Sequence, residues 1–141
     1  GEIRDAETAQ IAVRAALTGH LVLSSMHAKN AKGAIYRLLE FGVDMTEIEQ
    51  TLVAISAQRL VGLVCPFCGD SCSLYCRLSR PVRRASVFEL LYGKSLNLCI
   101  EEAKGRCGDI KTETLKTLIQ KGIALGYLPS NTYERWIGHE D

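Results

Sequence analysis

Several features are scarce in these 141 residues: three prolines, one tryptophan and 6% aromatics, with a net charge of only +1. No apolar run approaches the ~18 residues a membrane-spanning helix needs. The near-neutral balance argues against bulk electrostatic binding to nucleic acid, which normally leaves a basic footprint. Repeats and low-complexity tracts are absent, and no signal peptide is visible. Gly1 is not a start methionine, so the chain reads as the back half of a larger domain.

What is present is ordinary globular composition, 47% hydrophobic with mean hydropathy +0.04, enough for one domain with a core. Six cysteines in such a chain suggest thiols or a metal site rather than a secreted disulfide scaffold. This places the protein in the cytosol as an expectation.

The first 30 residues are the most informative. Asp5 can cap a helix with Ala6, Ala9, Ala12, Val13, Ala16 and Leu17 at helical spacing, stopped by Gly19. LVLSSM (21–26) reads as a short, largely buried strand. Asn30 opens a second helix closed at Gly42. Asp44 and Glu47 form a capping-box pair for a third, which carries Ile48, Leu52 and Ile55 and ends near Gln58–Arg59. LVGLV (60–64) and ASVFELLYG (85–93) read as strands. Beyond them a helix with Leu115, Leu118, Ile119 and Ile123 is expected with Thr112 as its cap. A short one follows around Tyr133–Ile137, after the break at Pro129 and Ser130. Alternating elements of this kind predict an α/β core with a cysteine-rich appendage and a helical tail. The composition divides at 1–64, 65–84 and 85–141.

Glu2 lies where a strand's carboxyl end would hand over to the first helix, the edge where open α/β sheets bind ligands. A carboxylate there can orient a metal-bound or attacking water. GEIRD also reads as a solvated turn with a helix cap. His27 falls on the same edge and could donate to a phosphate oxygen. His20, at the strand's entry, is as readily a packed histidine.

The cysteines run Cys65-x2-Cys68-x3-Cys72-x3-Cys76. A Cys-x2-Cys turn aims two thiolates at one tetrahedral centre, and a second pair sharing one helical face could complete a zinc site. A reduced thiol cluster and partial disulfide pairing are the other readings. Cys99 and Cys107 lack partners at ligand spacing and read as ordinary thiols. RLSRPVRR (77–84) places four arginines in eight positions, either a solvated loop or a docking patch for an acidic partner or lipid headgroups.

GEIRDAETAQIAVRAALTGHLVLSSMHAKNA resembles the Walker B and histidine-box region of type II secretion and type IV pilus assembly ATPases. IYRLLEFGV, ISAQRLV and RRASVFELL follow in the same order as in that family, so the resemblance covers roughly residues 1–93. It implies the second half of a RecA-like domain in a hexameric motor that binds ATP and Mg²⁺ between subunits. The motor would act at the inner face of the plasma membrane, on an inner-membrane platform protein, with no direct nucleic-acid contact. Glu2 then matches the glutamate that activates the attacking water. His27 matches the histidine near the terminal phosphate, and His20 the earlier histidine of that box. Arg4, Arg59 and Arg84 are expected in structural or subunit-contact roles. Assembly motors carry two Cys-x2-Cys pairs across a longer insertion, here compressed, which implies Zn²⁺ on Cys65, Cys68, Cys72 and Cys76. Retraction motors lack the cysteines. The short cysteine region and tail look most like the late-competence ATPases of Gram-positive bacteria, which power the pseudopilus used in DNA uptake. The alternative is a zinc-stabilised interaction module that binds nucleic acid or a membrane-platform protein.

The glycine-rich phosphate loop and its lysine, which this family carries upstream, do not occur in these residues. The chain by itself is therefore expected neither to bind ATP tightly nor to hydrolyse it, and to self-associate through an exposed sheet edge and apolar face.

Overall fold

The computed structural model describes residues 1–69, 72–79, 83–106 and 113–136, with the Arg77 side chain left aside. Its elements are helices α1 (Ala6–Leu17), α2 (Ala31–Glu40) and α3 (Met45–Thr51), strand β1 (Ala54–Gly62), α4 (Leu74–Ser79), β2 (Arg84–Tyr92), and helices α5 (Gly93–Ala103), α6 (Leu115–Ala124) and α7 (Thr132–Trp136). The chain divides into two units, one of Gly1–Ala57 with Leu90–Thr112, the other of Gln58–Glu89 with Glu113–Asp141. Both are discontinuous in sequence, and the composition boundaries at 64 and 84 fall inside the second.

In the first unit the helix ends follow their local chemistry. The Asp5 carboxylate accepts from Thr8 N at 2.8 Å and the Asn30 side chain from Gly33 N at 2.7 Å, each satisfying an amide that has no partner within its helix. Glu47 closes the capping box on Asp44 N at 3.0 Å. Gly19 and Gly42 end α1 and α2 with φ of 89° and 78°, the left-handed conformation that favours glycine. The alanine face of α1 lies against α3, and α2 packs on α3 and α5. Ala9, Ala31, Ile35, Val43, Ile48, Leu91, Leu96 and Ile100 form the core. Lys104 reaches Glu49 at 2.8 Å and Glu101 at 2.9 Å, joining α3 to the end of α5.

The expected strand over 21–26 does not form. Residues 21–24 lack regular structure, Leu21 and Leu23 are exposed, and only Ser25 pairs, in an isolated parallel bridge with Glu2. The bridge is parallel and sets Ser25 beside Glu2, so Ser24 falls beside Gly1 and residues 21–23 have no pairing strand among the described residues. The third helix is also shorter than expected. Leu52 has extended backbone (ψ 115°), and Ile55 joins β1, which starts at Ala54 rather than at residue 60. Ile48, Leu52 and Ile55 suit a helix, but Ile55, Ala57, Arg59 and Val61 alternate equally well, and pairing with β2 decides between the periods.

β1 and β2 make a two-stranded antiparallel sheet: Leu63 N bonds Arg83 O at 2.8 Å, while Gln58 Nε2 bonds Ser86 Oγ at 2.7 Å. Leu60, Phe88, Leu90 and Tyr92 project outward from the strands and are exposed.

In the second unit Val61, Ile119 and Leu128 are buried, with Val87, Ile123, Tyr133 and Trp136 packed around them. The cap of α6 is Thr114, accepting from Thr117 N at 3.2 Å, rather than Thr112, which lies outside the described residues with Cys107 and Ile137. The buried Glu89 accepts from Leu115 N at 3.0 Å, anchoring the first turn of α6 to β2. A Cβ at Gly122 would meet Leu128 Cδ1 at 2.8 Å, so this glycine makes room for the chain to fold back after the helix.

Replacing Ile35, which is fully buried in the first core, by alanine is expected to cost about 2–5 kcal/mol in urea unfolding. The same change at exposed Ile11 is expected to stay within about 0.5 kcal/mol.

Candidate functional site

Two clusters of reactive side chains stand out, one in each unit. The first is built on the Glu2–Ser25 bridge. Ile3 N bonds Ser25 O at 2.8 Å and Ser25 N bonds Gly1 O at 3.2 Å, so the two segments run side by side. Two residues past Ser25, His27 Nε2 lies 3.1 Å from Glu2 Oε1. Arg4 takes the other oxygen, its Nε donating to Glu2 Oε2 at 2.8 Å with Nη2 on the same atom. Glu2 and Arg4 sit at i and i+2 of extended chain, where side chains share a face. Arg4 was expected in a structural or subunit-contact role; here it holds the glutamate.

The Arg4 guanidinium holds the Glu2 carboxyl below its ordinary range, chiefly through this hydrogen bond, and Arg4 is raised in turn. The Glu2 side chain is 25% exposed and that of His27 is 94% exposed. The result is an ionised carboxylate with an open imidazole beside it, a pair able to orient water and to donate to an anion. His20 is engaged elsewhere. Its Nδ1 lies 3.0 Å from Thr18 Oγ1 and 3.2 Å from Ala15 O, at the C-terminal end of α1.

The second cluster gathers the four cysteines. The sulfurs of Cys65, Cys68, Cys72 and Cys76 all lie within 4.8 Å of one another, with Cys65 and Cys76 3.5 Å apart. Tetrahedral zinc with ~2.3 Å Zn–S bonds sets its sulfurs ~3.8 Å apart, so the donor set fits that ion. Gly69 N closes the Cys65–Gly69 turn on Cys65 O at 2.9 Å. Backbone N–H groups of Phe67 and Cys68 draw the Cys65 thiol down to about 6, while its hydrogen bond with Cys65 pushes Cys76 up to about 12. The cluster thus loses one proton readily and resists losing the next without a cation to share the charge. Cys72 and Cys76 do not share a helical face as expected, because α4 begins at Leu74 and leaves Cys72 before it.

Arg83, from the arginine run at 77–84, is raised chiefly by the Cys72 sulfur, which sets a cation beside the cluster. Arg59 Nη1 donates to Gln58 O at 3.0 Å. Arg84 is exposed at the start of β2. Residues 80–82 of the arginine-rich run lie outside the described residues.

Residues 1–130 match the family described as Type II/IV secretion system protein. The chain belongs to that family. Among members of the type II/IV secretion family, competence protein ComGA of Bacillus subtilis is 67% identical over 141 residues, covering 99% of this chain and 40% of the relative. Competence protein ComGA of Halalkalibacterium halodurans is 44% identical over 129 residues, 91% of this chain and 36% of the relative. The chain therefore spans about two-fifths of the length of these relatives. The X-ray structure of the Legionella pneumophila ATPase DotB superposes with a TM-score of 0.67 at 20% identity, covering 98% of this chain and 37% of that one. That likeness supports the mixed α/β fold.

Because the carboxyl of Glu2 is lowered, the Glu2–Arg4 pair favours the folded state at pH above the ordinary glutamate range. This contribution fades as pH falls through the lowered value. By carbon-detected NMR titration, Glu2 is expected to titrate below the ordinary glutamate range, and Arg4→Gln to move its midpoint upward.

Proposed function

We propose that this chain is the catalytic-edge half of an ATP-driven secretion or pilus motor, with a RecA-like core. The observation that carries the reading is the Glu2–His27 pair, a carboxylate and an open imidazole 3.1 Å apart on one edge. Glu2, held ionised by Arg4, orients the attacking water and accepts its proton. His27 donates a hydrogen bond toward the terminal phosphate. ATP supplies the phosphoanhydride bond, and Mg²⁺ offsets charge on its phosphates. Glu2 is the carboxylate that would face the metal, and no glycine-rich cradle with a lysine for the phosphates occurs among these 141 residues.

The kinship with two competence proteins supports assignment to the pseudopilus of DNA uptake. The assembly is a homo-hexamer working on a membrane platform protein, at the cytoplasmic face of the membrane. Among the described residues no helix is long and apolar enough to cross a membrane. His20, placed at the end of α1, acts through that helix end. Arg59 and Arg84 serve structural or subunit contacts.

In the full-length protein, Glu2→Gln is expected to lower ATP turnover by about a hundredfold or more with nucleotide binding retained, and His27→Ala by about tenfold or more. Unchanged turnover in both would remove the pair from the chemistry.

The cysteine cluster holds structural zinc in this reading, with Arg83 against Cys72 offsetting the negative charge of the sulfurs. Protein purified without chelator is expected to carry one zinc per chain. Its cluster thiols should react slowly with a thiol reagent until the metal is removed, and Cys68→Ser should lose it.

A further inference from the structure

The two oxygens of the Glu2 carboxylate are divided between two neighbours. Oε2 receives both Arg4 Nε, at 2.8 Å, and Arg4 Nη2. A carboxylate oxygen offers about two lone-pair sites, so Arg4 fills Oε2 and leaves Oε1 as the oxygen with room for a water. His27 stands at that oxygen, its Nε2 3.1 Å away. The neighbours are held differently. Arg4 converges on one atom through two nitrogens, from the same extended segment as Glu2. The His27 side chain is 94% exposed and has no packing to fix it. Of the two, the imidazole is the one able to swing away.

A ring N–H carries one hydrogen. His27 Nε2 therefore serves Glu2 Oε1 or a phosphate oxygen, one at a time. We propose that Glu2 and the terminal phosphate of a nucleoside triphosphate compete for His27, so that the imidazole covers Oε1 in the empty site and uncovers it when the triphosphate arrives. In the motor reading, on which this rests, the base thus opens only to substrate. A diphosphate has no terminal group to draw the imidazole away, so product leaves Oε1 covered. A ligand shifts such an equilibrium only through its different affinity for the two states, and here the difference is the contact between histidine and terminal phosphate. The contact it displaces joins exposed groups and is therefore weak, so release asks little of the substrate.

Nucleotide affinity reads the competition without turnover. In the full-length protein, calorimetry gives the dissociation constants of ADP and of the non-hydrolysable triphosphate adenylyl imidodiphosphate, and their ratio is the triphosphate preference. His27→Ala is expected to lower that preference, as the motor reading requires. Glu2→Gln is expected to raise it, because the single amide oxygen goes to Arg4 and leaves an NH2 group facing the imidazole. Removing a carboxylate near phosphates raises the preference by itself, so the coupling between the two positions decides. The rise should be about two- to fivefold greater with His27 present than in the His27→Ala background. An equal rise in both backgrounds would overturn the competition. So would a smaller rise with His27 present, which would mean that the carboxylate supports the histidine on the phosphate. A preference untouched by His27→Ala would overturn the motor reading's use of that residue, and the competition with it. The two failures are therefore read in different variants.

Discussion

Two backbone hydrogen bonds carry the placement of the whole acidic edge: Ile3 N to Ser25 O at 2.8 Å and Ser25 N to Gly1 O at 3.2 Å. Together with the bond from Ser24 Oγ to Gly1 O, they bring a glutamate at position 2 and a histidine at position 27 together. Everything else in the first unit steadies the two segments they join. Asp5 turns one segment into α1, and Asn30 turns the other into α2. A shift of this pairing by one residue would send Glu2 and His27 to opposite faces, because side chains alternate along extended chain. The geometry of the pair thus rests on this short pairing, and the helices behind it maintain its register.

The cysteine lobe is organised by the opposite means. It has little core, and its largest apolar groups point outward, so the convergence of four sulfurs takes the place of hydrophobic burial. That convergence explains why Cys65 and Cys76 are displaced in opposite directions from an ordinary thiol. Sulfurs this close share their protons unequally.

Much of this was legible in the sequence, for local reasons. Asp5, Asn30, Asp44 and the glycines at 19 and 42 work through bonds to neighbours three or four residues away, so their roles can be read from spacing. The four cysteines announce themselves in the same way. The edges of the strands could not be read, because pairing is not local. Residues 21–26 look like a buried strand yet find only one partner residue, and Ile55 fits two periods until β2 selects one. Arg83 was legible only as part of the arginine run, not as the neighbour of Cys72, whereas Arg4 on Glu2 was latent in the i, i+2 spacing of extended chain. Glu2 and His27 were legible as neighbours on one edge because each follows the carboxyl end of an extended segment, although the contact between their side chains was not.

The interleaving of the two units also bears on how the chain acquires its structure. Ile35 and Ile48 lie early, but the surfaces that bury them include Leu91, Leu96 and Ile100, supplied after the entire cysteine lobe. On the ribosome, where elongation runs at roughly 5–20 residues per second, the first helices must wait several seconds for their counterparts. Through that interval the faces of α2 and α3 that α5 will cover stand open to chaperones and neighbouring nascent chains.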